Sequence, residues 1–153
     1  MCEVAGEPGE YAQRLRVFAA GRGIDVGYDS RGLGSAYGAS LGGRILLRDD
    51  LSPATEFSVL VHELAHELLH RGERRAATSK KVRETEAEAV AFVVSHAIGL
   101  ETSTAASDYI QLYAGSKDTL VGSLEAIRQA AVQILDALQG DRGLATGAAL
   151  RIA

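Results

Sequence analysis

Cysteine is almost missing from this sequence. Cys2 is the single one, so no disulfide can form within the chain. It stands beside Met1 with no apolar segment before it, which argues against a lipid anchor and leaves a free thiol at a frayed end. Long apolar runs are missing too, and no segment is built to span a bilayer. The opening MCEVAGEPGEY has neither the basic nor the apolar region of a signal peptide. Charge of one sign is in little excess: a net charge of −4 gives no general attraction to nucleic acid or to anionic membrane. A cytoplasmic protein with no membrane partner is the simplest expectation. What is present is a balance of 46% hydrophobic and 24% charged residues in 153, enough for one domain with a real core.

The chain changes character near its first third. Apolar residues Tyr11, Leu15, Phe18 and Ala19 recur at helical spacing over 10–20, and Gly21 and Gly23 close that helix. Three short strands are expected at 24–28, 35–40 and 44–48, separated by glycine-rich turns, and a small antiparallel sheet or meander fits them. From Ser52-Pro53 the pattern is helical. Ser52 can cap free amides and Pro53 suits a first turn, so a helix should run to about Arg71, with Gly72 ending it. Segment 73–81 reads as a polar loop. Further helices are expected over 82–98, 104–114 and 117–139. The last carries Leu120, Leu124, Ile127, Ala131, Ile134, Leu135 and Leu138 on one face. Residues 1–139 then form a single domain of α+β class, helices on one side of a small sheet, and 140–153 a poorly ordered tail.

Residues 62–66 read His-Glu-Leu-Ala-His. On a helix, positions four apart share a face about 6 Å from one another, so His62 and His66 can grip one zinc ion. Glu63 then lies near the metal's open position, where a carboxylate can take a proton from water and pass it to a leaving amine. Phe57, Leu60, Val61, Leu64 and Leu68 bury the helix and hold such a site rigid. The rival reading is an amphipathic helix whose histidines do nothing. It leaves the spacing unexplained.

A third ligand is needed. His70 lies four residues beyond His66, but His62 and His70 are about 12 Å apart along a straight helix, so three rings cannot converge on one ion. The HExxHxxGxxH solution is absent, because its places hold Leu69 and Gly72. Glu84, Glu86 and Glu88 lie on the following helix. Glu86 shares its face with Ala89, Val90 and Val93, a small and apolar stripe suited to packing on the first helix, and is the expected ligand. Glu84 and Glu88 are expected to face away, and His70 to lie outside the coordination shell.

VLVHELAHELLH (59–70) followed by ETEAEAVAF (84–92) resembles the ImmA/IrrE family of metallopeptidases and the related peptidase domains of ArdC-like antirestriction proteins. YGASLGGRILL (37–47) and DYIQLYAGSKDTLVGSLEAIRQAA (108–131) are similar to the flanks of the ArdC-like branch. The resemblance implies a zincin-like metallopeptidase domain with zinc as cofactor. His62, His66 and Glu86 would be its metal ligands and Glu63 its catalytic base. Val90 stands where many members have asparagine. The implied activity is a zinc endopeptidase that regulates one protein partner, such as a repressor or a DNA-associated protein. The alternative is a zinc-stabilised accessory module that docks on DNA-associated proteins with little hydrolysis, and a third reading is hydrolysis of a non-peptide bond. In the ArdC-like branch a single-stranded-DNA-binding domain often precedes the peptidase. None precedes it here, as expected of a fragment or a stand-alone version.

Weaker signals surround this motif. Tyr109, Tyr113, Tyr37 and His96 are candidates for stabilising an oxyanion, although such phenols more often serve packing. Arg71, Arg74, Arg75, Lys80, Lys81 and Arg83 crowd the segment between the two key helices. They either guide an acidic partner or a DNA backbone, or form a solvated loop. The glycines at 32–43 make no phosphate loop, since no Lys-Ser/Thr follows them.

Overall fold

The computed structural model describes residues 4–102 and 117–150. The first helix, α1 (Tyr11–Gly21), buries Leu15 and Ala19. The chain then turns through Gly23, whose φ of +73° suits a residue without a Cβ, into strand β1 (Asp25–Tyr28). A single helical turn, α2 (Ser30–Leu33), is capped by the Asp29 side chain, which accepts from the Gly32 amide at 2.9 Å. Strands β2 (Gly38–Ser40) and β3 (Arg44–Leu47) follow, joined through Gly42 and Gly43. Both glycines have positive φ, +78° and +88°, the requirement of a tight turn matched to strand twist.

The sheet has the order β1-β3-β2. Strand β3 pairs antiparallel with β2 and parallel with β1, in the registers Ala39↔Leu46 and Val26↔Ile45. The expected all-antiparallel sheet is therefore corrected to a mixed one. A two-residue turn forces β2 and β3 to be antiparallel, whereas the longer path through α2 lets β1 take the other side of β3 in parallel. Ile45 and Leu47 alternate with Arg44 and Leu46 and enter the core completely.

That core is centred on α3 (Pro53–Leu69). Its start follows the sequence: the Ser52 hydroxyl accepts from the Thr55 amide at 3.2 Å and Pro53 opens the first turn. Most of its residues are buried, since the sheet covers one side and α5 (Lys80–Ala97) packs on another. Ser79 caps α5 by accepting from the Val82 amide at 3.1 Å. A short helix, α4 (Gly72–Ala77), occupies what the sequence suggested was loop. The last helix, α6 (Lys117–Leu150), packs Ile127, Ala131, Ile134 and Leu138 inward, but Leu124 is left exposed. It runs on past Gln139, where its end was expected, because no proline follows and a glycine in a helix costs only about 1 kcal/mol. The helix expected over 104–114 lies outside the described residues. No described helix is long and apolar enough to cross a membrane.

Candidate metal centre

One turn of α3 separates His62 from His66, and their rings lie 5.0 Å apart, edge to face. Both present Nε2 to a single carboxylate on α5. Glu84 approaches the Nε2 atoms of His62 and of His66 at 3.1 Å each, through its two different oxygens. A ligand atom from each of these three residues lies within 4.8 Å of the other two. Two imidazole nitrogens and one carboxylate, with Glu63 beside them, are donors of the kind that could hold a metal ion such as zinc with one position open. The residues thus fit the ion that the sequence motif implies.

The remaining ring nitrogens are held as well. His62 Nδ1 lies 3.0 Å from Glu88, which accepts from Nδ1–H, while Nε2–H donates to Glu84; with Nδ1–H held in this way, loss of the Nε2 proton would leave the Nε2 lone pair free for a metal ion. His66 Nδ1 lies 2.7 Å from Nδ1 of His70, whose Nε2 in turn lies 2.8 Å from Glu86. Glu86 also accepts from the Ser123 hydroxyl at 2.6 Å and from Arg74. Ionised Glu86 makes His70 Nε2–H the donor, which leaves His70 Nδ1 to accept from His66. A buried chain of hydrogen bonds thus runs from Glu86 through His70 to His66.

The electrostatics match this wiring. Burial of His62 disfavours its charged form, but the hydrogen bonds to Glu84 and Glu88 outweigh it and push its pKa up to about 9. The two histidines hold the Glu84 carboxyl far below the usual carboxylate range. The carboxylates around the site therefore call for a positive charge, which either protons or a cation supplies. Burial raises the Glu63 carboxyl, against the pull of His62 and His66. Burial also pushes Glu86 up, but His70, Ser123 and Arg74 win and keep it ionised, while burial lowers His70 and favours its neutral form.

The expected residues fare differently. His62, Glu63 and His66 come together as the motif requires. Glu86 does not join them: it is fully buried behind His70, and Glu84 stands in the place expected for it. Glu84 and Glu88 do not face away, since both reach His62. The signal that marks them is their own four-residue spacing, which repeats on α5 the spacing of His62 and His66 on α3. Val90 is buried in the core. Among the oxyanion candidates, His96 stacks on Phe92 on an exposed part of α5, and Tyr37 packs against the core. Tyr109 and Tyr113 lie outside the described residues.

A cleft of about 980 Å³ opens over Glu63, His66 and Glu84. Strand β2 forms one wall, α4 and the start of α5 the other, and Glu63, His66 and Glu84 the floor. Glu67 ties the β2–β3 turn to α3: it accepts from the amides of Gly42 and Gly43 at 3.0 and 2.8 Å and from the Ser40 hydroxyl.

A helix that carries two histidines and a glutamate, with a carboxylate of α5 beside them in an open cleft, has the residue types of a metallopeptidase site. Residues 19–111 match the M78 peptidase family model, described as the IrrE N-terminal-like domain, and the chain belongs to that family. The match spans the sheet, α3 and α5. No curated protein and no solved structure matches the chain.

Proposed function

We propose that this protein is a zinc-dependent endopeptidase whose metal is held by His62, His66 and Glu84. The observation that carries the reading is the convergence of these three side chains within 4.8 Å, with Glu63 beside them at the floor of a cleft. Zinc held by these residues would supply Lewis acidity, polarising a peptide carbonyl and lowering the pKa of water toward neutrality. Glu63 takes the proton of the attacking water and delivers it to the departing amine. Its burial supports this role, because a carboxyl raised above its ordinary value is a stronger base and takes a proton from water more readily. Glu88 and His70 orient the two imidazoles. The outer edge of β2 is unpaired among the described residues and runs along the cleft, which suits an extended peptide backbone.

The substrate in this reading is a protein partner, a repressor or a DNA-associated protein, cut in a regulatory step in the cytoplasm. Closeness to the ArdC-like branch belongs to the same reading. The rival, a zinc-stabilised docking module, gives no work to Glu63. The deciding measurement is cleavage of a proteome-derived peptide mixture by zinc-loaded wild type and Glu63→Gln, with zinc content measured in both. Both should hold about one zinc per chain, and only the wild type should cut, with the variant slower by at least a hundredfold. Equal turnover would remove Glu63 from the mechanism, and absence of zinc from both would sink the metal site.

A further inference from the structure

The wall of the cleft opposite β2 is basic. Arg71, Arg75, Lys80 and Arg83 all line it, from the start of α4 to the first turn of α5. They are not equivalent. Arg71 pairs with Glu67 at 3.2 Å, and Arg83 donates to the backbone carbonyls of Arg75 and Thr78, contacts that fix its position without cancelling its charge. The side chains of Arg75 and Lys80 are exposed and have no hydrogen-bond or ion-pair partner among the described residues. The acidic groups that share the cleft are already committed. Glu67 holds the β2–β3 turn, Glu84 faces the two histidines, and Glu63 lies at the floor.

We propose that this basic wall selects peptides with carboxylate side chains close to the scissile bond. The proposal rests on the endopeptidase reading and names its substrate class. An extended peptide laid along β2 projects alternate side chains away from the strand's plane, toward the α4–α5 wall. Aspartate or glutamate there meets Arg75 and Lys80, whereas lysine or arginine meets like charge. A phosphate backbone has the same sign. The floor, however, carries a peptidase motif, and its open edge offers backbone hydrogen bonds that suit an extended peptide.

Two readouts test this. The first is the set of cleavage sites that zinc-loaded wild type makes in a proteome-derived peptide mixture, compared with an Arg75→Glu/Lys80→Glu double variant. We expect Asp and Glu within three residues of the cut to be favoured roughly tenfold over Lys and Arg, and the preference to invert in the variant. Cuts without acidic enrichment, or an enrichment that survives the reversal, overturn the proposal. The second readout works without turnover. Zinc-loaded Glu63→Gln is titrated with fluorescent Asp-rich and Lys-rich peptides at low and high salt. Tighter binding of the Asp-rich peptide by roughly tenfold, shrinking with salt, supports the proposal. Equal binding of the two peptides overturns it. An oligothymidine that binds this variant more tightly than the Asp-rich peptide and displaces it assigns the wall to a nucleic acid and also overturns it. If the wild type cuts nothing while the charge preference in binding persists, the peptidase reading fails and the acidic preference of the cleft stands.

Discussion

Glu84 and Glu86 are two positions apart on α5 and live in opposite surroundings. The Glu84 side chain is half exposed and meets His62 and His66 at the cleft floor, while that of Glu86 is fully buried among His70, Arg74 and Ser123. Their substitutions should therefore separate metal binding from folding. Glu84→Ala should weaken zinc binding by at least a hundredfold and leave the melting temperature of the metal-free protein within a few degrees. Glu86→Ala strands Arg74 and the buried His70, and should destabilise the metal-free protein by about 3 kcal/mol in denaturant titration. Equal zinc affinity in wild type and Glu84→Ala would return the ligand role to another carboxylate. At this scale the sequence reading judged Glu86 correctly in one respect, since its apolar company does mark a buried residue. Burial does not bring it to the two histidines, however, where the half-exposed Glu84 lies instead. A ligand at an open site sits at the margin of the core, where substrate has to arrive, and a helical wheel does not locate that margin.

Among the elements, β2 carries the fewest residues and lies close against α3. A Cβ on Gly38 would meet the Val59 side chain at 2.8 Å and the Glu63 side chain at 3.2 Å. Glycine there lets β2 lie directly on α3, beside Glu63. Gly38→Ala should cost about 1–3 kcal/mol through forced displacement of β2 or α3, and should lower peptide cleavage beyond that loss by shifting Glu63. The control is Gly122→Ala in α6, where a Cβ meets nothing within 4 Å. There the gain in helix propensity should stabilise by about 0.5–1 kcal/mol. Urea melts of both variants check the pair, and a neutral Gly38→Ala would contradict the close approach. The small, glycine-rich composition that makes 35–40 a weak strand in the sequence is the same composition that its position on α3 demands. Strand propensity measures fit to an average pleated surface, and β2 lies on an unusually close one.

At the scale of the whole molecule, the candidate metal site would be a clasp between α3 and α5, two helices separated only by residues 70–79 whose packing builds much of the core. A ligand that binds only the folded state stabilises it by mass action, by about 4 kcal/mol when present at a thousand times its dissociation constant. Zinc should accordingly raise the melting temperature of the wild type and of Glu63→Gln alike by about 10 °C, reversibly with chelator. Glu84→Ala should lose the shift, and a wild type that melts at one temperature with and without zinc would refute the clasp. Helix α3 itself was legible without a fold. Its cap at Ser52, its proline and the spacing of His62, Glu63 and His66 are local features, set by contacts within a few turns of one helix. The partner of those histidines was not legible in that way. It depends on how α5 is rotated and shifted against α3, which the side chains of Ala87, Ala89, Val90, Ala91 and Val94 settle together by where they pack. The direction of β1 within the sheet is of the same kind. Periodicity reports which residues turn inward on each element, whereas the choice among inward or marginal carboxylates is made by the neighbouring element, whose atoms no local pattern contains.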